Sequence, residues 1–227
     1  MIKIEDRAIF IADVHYPHHE EKIFELLSVT FLEQNRVTQI FFLGDIFDIL
    51  FENSSYLLDY NNRLIEVINN IDKDIDIFYF EGNHDFNLRN IFPKIHIFSI
   101  ENQPQNMRLK DKIVSISHGD KYEMSLGYRV YSKFIRNRTI IRYFIPFKER
   151  VIKNQITLLK RKKICKKIED FNQIIDRILS HYPKSNLILE AHYHQGIILD
   201  NYVSLPSLAC QDKIGIVDNG EILFMKI

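Results

Sequence analysis

The sequence contains no tryptophan, only two cysteines and only seven glycines among its 227 residues. Cys165 and Cys210 lie far apart and belong to no Cys-x-x-Cys or Cys/His cluster, so we predict neither a thiolate zinc site nor a disulfide. A reducing, cytoplasmic location fits that expectation. No apolar run approaches the ~18 residues that a membrane-spanning helix needs, so we expect a soluble or peripheral protein.

The charge of the chain is balanced in total but unevenly distributed. Thirty basic and 30 acidic side chains give a formal net charge of zero, which argues against a general nucleic-acid binder. Residues 121–167, however, hold 15 Lys and Arg but only two Glu. We expect a single domain over residues 1–227, in which residues 121–180, with their helical periodicity and many aromatic side chains, form a basic helical insertion.

Five short segments, rich in β-branched and aromatic residues, each end in polar residues. They cover residues 8–15, 37–45, 75–85, 112–120 and 187–194. Each is predicted to be a buried strand that delivers polar side chains at its C-terminal end. Helical spacing separates the first three, and short segments with turn signals follow residue 195. We therefore expect an α/β fold that starts as β-α-β-α-β and ends in an antiparallel meander.

The polar residues at these strand ends form an ordered set of motifs. The motifs are Asp13-Val14-His15, Gly44-Asp45 followed by Asp48, Gly82-Asn83-His84-Asp85, His118-Gly119-Asp120 and Ala191-His192-Tyr193-His194. Three of the seven glycines fall inside the set, where a sharp turn or a close backbone approach would favour them. Imidazole and carboxylate ligands suit divalent Mn, Fe or Zn, whereas Mg and Ca prefer oxygen alone. The set indicates a metal site.

These motifs resemble the calcineurin-like metallophosphoesterase superfamily over essentially the whole chain. The resemblance implies a four-layer αββα sandwich and two divalent metal ions, with Mn preferred and Fe or Zn as alternatives. Asp45 would bridge the two ions. The implied ligands are Asp13, His15, Asp45 and His194 for one metal, and Asp45, Asn83, His118 and His192 for the other.

The same resemblance implies the residues that act beside the metals. His84 would stabilise phosphoryl charge or protonate the leaving group, and Asp48 would orient His84, with Asp85 as a second candidate for that task. The last motif departs from the family pattern, because Ala191 and Tyr193 replace a glycine and a small polar residue. His18 and His19 follow the first motif closely and could line the pocket, but we expect them mainly at the surface.

Within the superfamily, the residues that flank the motifs and the basic insertion resemble those of the UDP-2,3-diacylglucosamine pyrophosphatases of lipid A biosynthesis. That resemblance implies hydrolysis of a lipid-linked nucleotide sugar to UMP and 2,3-diacylglucosamine 1-phosphate at the inner face of the cytoplasmic membrane. Substrate contacts are expected at Asn83, His84, Thr157, Arg161, Lys163 and His192. A lipid pocket is expected from Tyr131, Phe134, Ile135, Ile140, Ile141, Phe144 and Ile145, and headgroup contacts from Arg136, Arg138, Arg142, Lys148 and Arg150.

Three other interpretations stay open at this point. The same metals could serve a phosphodiesterase or phosphatase that acts on soluble nucleotides or phosphoproteins, with the insertion as a protein-docking surface. The chain could instead be a catalytically silent scaffold, although His84 and Asp48 are not needed merely to hold metals. The insertion could also be a helical hairpin that only packs on the sandwich and exposes its charges to solvent.

Overall fold

A computed structural model describes residues 1–18, 21–122, 133, 136–137, 139, 148–182 and 185–227. Most of the predicted lipid pocket and headgroup contacts lie outside these residues. The predicted residues that lie outside the described part of the chain are His19, Tyr131, Phe134, Ile135, Arg138, Ile140, Ile141, Arg142, Phe144 and Ile145.

The described strands and helices follow the expected order. The strands are β1 (Ile9–Ile11), β2 (Gln39–Phe42), β3 (Leu50–Phe51), β4 (Asp76–Phe80), β5 (Asp85–Phe86), β6 (His96–Phe98), β7 (Gln105–Leu109), β8 (Lys112–Ser117), β9 (Leu187–Glu190), β10 (Ile197–Ile198), β11 (Tyr202–Ser204), β12 (Lys213–Asp218) and β13 (Glu221–Lys226). The helices are α1 (Ile23–Leu26), α2 (Val29–Gln34), α3 (Ser55–Tyr60), α4 (Asn62–Asn69), α5 (Lys148–Leu159), α6 (Phe171–Leu179) and α7 (Leu208–Gln211), with a 3₁₀ turn at Ile100–Asn102.

The first sheet has the strand order β13-β12-β1-β2-β4-β6 among the described residues. Its strands β1, β2, β4 and β6 run parallel, and β12 pairs antiparallel with β1. Two pairs of short helices connect the first three parallel strands. Serine side chains cap two of these helices, since Ser28 Oγ accepts from the Phe31 amide and Ser54 Oγ from the Leu57 amide. The predicted β-α-β-α-β start is confirmed.

The second sheet has the order β10-β11-β9-β8-β7, in which β8, β9 and β11 run parallel. The expected C-terminal meander is wrong, because the last strands form two hairpins in different sheets. β10 and β11 close the second sheet, whereas β12 and β13 close the first. Turn residues specify a hairpin only locally, and long-range burial decides which sheet it joins.

Apolar side chains pack in three layers around the two sheets. Between the sheets, Phe41 stacks on Phe10 and on Phe78, with ring centroids 4.8 Å apart in both pairs. Helices α1–α4 cover the outer face of the first sheet. On the outer face of the second sheet, α6 buries Phe171, Ile175 and other apolar residues at helical spacing. The fold is therefore the four-layer αββα sandwich that the sequence implied.

The described part of the insertion packs on both sides of this sandwich. Helix α5 buries Ile152 and Ile156 against the core of the first sheet, and α6 packs on the second sheet. No helix among the described residues is long and apolar enough to cross a membrane. The limits of the insertion, residues 121–180, stay a prediction.

Cys165 and Cys210 form a disulfide with a Cα–Cα distance of 5.4 Å. The expectation of two unpaired cysteines is therefore wrong. The pair is separated by 45 residues, and no local motif marks it, because only the fold brings the segment after α5 against α7. This segment carries the basic run from Lys160 to Lys167.

A candidate dinuclear metal centre

The motif residues converge at the C-terminal ends of parallel strands from both sheets. Asp13, Asp45 and Asn83 follow β1, β2 and β4 of the first sheet, and His118 and His192 follow β8 and β9 of the second. The carboxyl ends of parallel strands lie at one edge of a sheet, so motifs far apart in sequence meet there.

The carboxylates and imidazoles at this edge form two groups. Within each group, one potential ligand atom per residue lies within 4.8 Å of the others: Asp13, His15 and His194 in the first, and Asp45, His118 and His192 in the second. Asn83 joins the second group, since its Oδ1 lies 3.2 Å from His118 Nε2. The two groups follow the division that the family resemblance implies, except that Asp45, the expected bridge, is grouped with the second set alone.

Burial and mutual charge perturb the pKa values of these groups. Burial alone raises the pKa of Asp45, but the charges of His84 and His118 hold it well below its ordinary value. Burial lowers the pKa of His118, yet Asp45 and Asp120 raise it to about 9. Burial, followed by the charge of His118, lowers the pKa of His192 to about 3. Buried carboxylates crowded among imidazoles are a donor set that divalent cations would stabilise.

Several of these residues have a left-handed backbone, which residues other than glycine rarely adopt. They are Asp13 with φ 50°, His15 with φ 55°, Asp45 with φ 53°, His192 with φ 64° and His194 with φ 55°. Each costs on the order of 1–3 kcal/mol, and such outliers cluster at functional sites. Twelve described residues other than glycine have such a backbone, and these five lie in the turns that aim the motif side chains at one another.

Two motif glycines leave room for this arrangement. Gly44 has a φ of 76°, and a Cβ atom there would lie 2.5 Å from His118 Nδ1. A Cβ at Gly82 would collide with the Asp45 carboxylate. The turn and close approach expected from the sequence are both present, because each glycine lies against the side chain of a motif residue.

Asp85 organises the loop that carries Asp45. Its fully buried carboxylate accepts hydrogen bonds from the backbone amides of Asp45 at 3.0 Å, Ile46 at 2.7 Å and Gly82 at 2.9 Å, and from the Tyr79 hydroxyl at 2.6 Å. Burial, followed by the charge of Asp45, raises the pKa of Asp85 to about 7. The structure therefore places Asp85 on the Asp45 loop rather than on the His84 ring.

His84 is oriented by Asp48, but through the backbone. His84 Nδ1 lies 2.7 Å from the Asp48 carbonyl oxygen, so the ring nitrogen donates to it. The Asp48 carboxylate instead contacts His15 Nδ1 at 3.3 Å and His18 Nδ1. Since Nδ1 is occupied, the free nitrogen of His84 is Nε2.

Long-range contacts place two residues at or near the motifs, His18 and Tyr193. His18 is not at the surface, because its side chain is only 8% exposed and contacts Asp48. Tyr193 is buried, where its ring packs 5.2 Å from that of Phe171 and its hydroxyl donates to the Gly119 carbonyl at 3.3 Å. The unusual tyrosine of the last motif therefore fills the core beside α6.

A pocket of about 280 Å³ opens at the metal centre. Its lining combines motif residues with the basic segment after α5: His15, Asp45, Asn83, His84, His192, Tyr193 and His194 on one side, and Lys162, Lys163, Ile164, Lys166 and Ile168 on the other. Asn83, His84, Lys163 and His192 thus line the pocket as the expected substrate contacts, whereas Thr157 and Arg161 are not among its lining residues.

The sequence prediction missed Lys162 and Lys166, which line the pocket beside Lys163. Their only signal in the sequence is the density of positive charge. Besides the disulfide, Gln195 holds this segment in place, since its side chain accepts from the Ile168 amide at 3.1 Å and donates to the Lys166 carbonyl at 3.1 Å.

Comparison with known proteins agrees with this geometry. The sequence model of the calcineurin-like phosphoesterase family matches residues 7–196. The chain is also 27% identical over 172 residues to UDP-2,3-diacylglucosamine hydrolase from Psychromonas ingrahamii. That match covers 74% of this chain and 66% of the relative, which is just under two thirds of the relative's length.

Solved structures with a similar chain trace include two that extend over nearly the whole molecule. A dimetal phosphatase from Danio rerio is 12% identical with a TM-score of 0.46, and a Thermotoga maritima protein is 12% identical with a TM-score of 0.45. Each similarity covers 97% of this chain and 98% of the other. The family match spans all the motif residues of the site, and the chain belongs to the calcineurin-like phosphoesterase family, metal-dependent hydrolases with the fold seen here.

Proposed function

We propose that the protein hydrolyses the diphosphate of UDP-2,3-diacylglucosamine with water, releasing UMP and 2,3-diacylglucosamine 1-phosphate. The observation that carries this proposal is the pocket in which Lys162, Lys163 and Lys166 face the candidate metal centre. Lysine binds phosphate oxygens as a point charge, and a diphosphate presents several of them. The similarity to a curated hydrolase of this substrate supports the same assignment.

We assign the metal ligands by the two groups described above. Asp13, His15, Asp45 and His194 would hold one divalent ion, and Asp45, Asn83, His118 and His192 the other, with Mn preferred over Fe or Zn. When bound, such a pair supplies Lewis-acid stabilisation of phosphoryl charge and activates the attacking water. The mixed carboxylate, amide and imidazole donors fit these metals better than Mg or Ca.

His84 is assigned to the leaving group. Its Nδ1 donates to the Asp48 carbonyl, which fixes the ring and leaves Nε2 to exchange a proton. The protonated ring can donate from Nε2 to a phosphoryl oxygen as the P–O bond breaks. His84 also lines the pocket, as this role requires.

The basic segment is assigned to substrate binding. Lys162, Lys163 and Lys166 would meet the diphosphate, and the disulfide together with Gln195 would hold them at the pocket. Thr157 and Arg161 stay predicted contacts for the sugar end of the substrate. In the soluble-substrate alternative the same lysines would bind a phosphate, so the nature of the leaving group decides between the two.

We propose further that α5 contacts the inner face of the cytoplasmic membrane, where the lipid substrate would lie. Its outer surface exposes Val151 at 59% and Leu158 at 62%, next to Arg150 and the following Lys160–Lys163 run. Exposed apolar side chains beside cations favour anionic lipid surfaces. The proposed location is cytoplasmic and peripheral, and it rests on the substrate assignment, because the Cys165–Cys210 disulfide removes the argument from unpaired cysteines. No nucleic-acid partner is expected.

Vesicle sedimentation tests the membrane proposal. Vesicles with anionic lipid should bind the wild type, and the double substitution of Val151→Ser and Leu158→Ser should reduce that binding. Val29, which is 70% exposed on α2, offers a control in Val29→Ser. Equal binding by the double variant and the control would contradict the α5 contact.

A Mn-dependent assay with product identification tests the reaction. Purified protein should release UMP from UDP-2,3-diacylglucosamine much faster than it hydrolyses bis(p-nitrophenyl) phosphate. Asp45→Asn, which removes a charge from both proposed metal sites, should be inactive on both. If the lipid substrate were hydrolysed no faster than the artificial diester, the lipid assignment would fail and the soluble-phosphoester alternative would be favoured.

A further inference from the structure

A row of buried and partly buried polar side chains leads away from the metal centre towards α3. Tyr60 OH lies 2.7 Å from His18 Nε2, and His18 Nδ1 contacts Asp48 Oδ2. The other carboxylate oxygen of Asp48, Oδ1, lies 3.3 Å from His15 Nδ1. Asp48 is almost fully buried. Its two carboxylate oxygens connect a proposed metal ligand, His15, to His18 and Tyr60, which lie outside the motifs.

The chemistry of these groups fixes the direction of each hydrogen bond. An ionised carboxylate only accepts, so His18 Nδ1 carries the hydrogen of its bond to Asp48, whereas His15 Nδ1 lies within ion-pair distance of the same carboxylate. His18 Nε2 is then an acceptor, and the Tyr60 hydroxyl donates to it. Burial, followed by the charge of Asp48, raises the pKa of Tyr60 to about 12, so that hydroxyl stays protonated.

The backbone supports the row at both ends. The His18 amide donates to the His15 carbonyl at 3.1 Å, which closes the turn between the two histidines, and the Asp48 amide donates to the Tyr16 carbonyl at 2.9 Å. Tyr60 lies at the last position of α3, which is capped by Ser54 at its start. The four side chains of the row thus come from three segments of the chain.

We infer that Tyr60 and His18 are positioning residues, which hold the Asp48 carboxylate and through it the orientation of the His15 ring as a metal ligand. This inference rests on the ligand role proposed for His15. Residues that orient metal ligands typically change metal affinity or activity by ~10–100-fold when they are replaced. The row assigns that task to two residues that lie outside the motif pattern.

Mn binding to the metal-free protein, measured by calorimetry without substrate, tests the inference. His18→Asn keeps a nitrogen donor near the Nδ1 position, whereas His18→Gln resembles histidine more in size but places its nitrogen near Nε2. His18→Gln should weaken the binding of one of the two Mn ions by about 10-fold. The Mn affinity of His18→Asn should stay closer to that of the wild type. If His18 only filled space, the order would be reversed, and that order would overturn the inference.

Tyr60→Phe supplies an independent check that removes only one hydroxyl. It should weaken the same Mn ion by a smaller factor, and this effect should disappear when His18 is already Asn, because Asn has no nitrogen to receive the hydroxyl. Tyr56→Phe, on the same helix and stacked on Tyr60, is the control. The inference would be contradicted if the two tyrosine variants lowered Mn affinity equally, or if Tyr60→Phe had an undiminished effect in the His18→Asn background.

These readouts separate the inference from the proposed function. If the wild type bound two Mn ions but did not hydrolyse the lipid, the substrate assignment would be wrong and the positioning role of Tyr60 and His18 would be unaffected. If the wild type were active and the variants at His18 and Tyr60 bound both ions as tightly, the positioning role would be wrong and the substrate assignment would be unaffected.

Discussion

The strand-end loops and the basic segment after α5 meet at one pocket, yet they are held in different ways. The loops are buried, and their side chains accept hydrogen bonds from neighbouring backbones, as Asp85 does from Asp45 and Gly82. The basic segment is exposed, and one disulfide and the hydrogen bonds of Gln195 hold it in place. A buried network fixes geometry within a narrow range, whereas an exposed segment tied at few points can adapt. We therefore expect the loops to govern metal binding and kcat, and the segment to govern KM.

The largest effect is expected from Asp45→Asn, which keeps the shape of the side chain but removes its charge. Both proposed metals lose a ligand, so Mn content and kcat should fall further than the ~10–100-fold typical of residues behind the ligands. Elemental analysis and the lipid assay measure both. Asp76→Asn, at the exposed start of β4, is the matched control. Full Mn content with full activity in Asp45→Asn would contradict the expectation that the strand-end loops govern metal binding and kcat.

His84→Gln should come next, with kcat reduced by about 10²–10⁴-fold, as is typical when a general acid is lost. Mn content should not change, because His84 is not among the proposed ligands. His96→Gln, a histidine of β6 that stacks on Phe78, serves as the control. An unaltered kcat in His84→Gln would remove His84 from the reaction.

Replacing Lys163 by Ala should raise KM for the lipid substrate by roughly 10-fold, the lower end for hydrogen bonds to charged groups, because the side chain is exposed. kcat and Mn content should stay near the wild-type values. Lys73→Ala, an exposed lysine away from the pocket, controls for charge. A fall in kcat with an unchanged KM would mean that the segment contributes to the chemistry, and the contrast between the two regions would fail.

The smallest effect is expected from opening the disulfide. Cys165→Ser should raise KM several-fold by loosening the segment that carries Lys163 and Lys166, and a reductant should do the same to the wild type. Reductant added to Cys165→Ser should have no further effect. Equal KM values for the wild type with and without reductant, with the disulfide verified by mass spectrometry, would show that the tie does not position the lysines.

Much of the loop region could be predicted from the sequence, because each motif follows an apolar strand and parallel strands end at one edge. Asp13 meets His194 there, and Asp45 meets His118. The contacts that were missed depend on distant segments. No local signal pairs Cys165 with Cys210, and His18 is buried only because Asp48 and Tyr60 arrive from elsewhere in the chain.

The basic segment was predictable as charge but not as geometry. The run from Lys160 to Lys163 indicates an anionic partner, yet helical periodicity does not tell which lysines reach the pocket. Lys162 and Lys166 line it beside the expected Lys163, while Thr157 Oγ1 donates to the Lys153 carbonyl on α5 instead. Which lysines reach the pocket depends on the long-range contacts of this irregular segment, its disulfide and the hydrogen bonds of Gln195. Those contacts could not be predicted from the sequence.

The most direct test of the account is a titration of metal-free protein with Mn while UMP release from UDP-2,3-diacylglucosamine is followed. The two groups of ligands predict a rate that is negligible without metal and saturates at two Mn ions per chain. Saturation at one ion, or a rate that does not depend on metal, would contradict the dinuclear centre on which the proposed function rests.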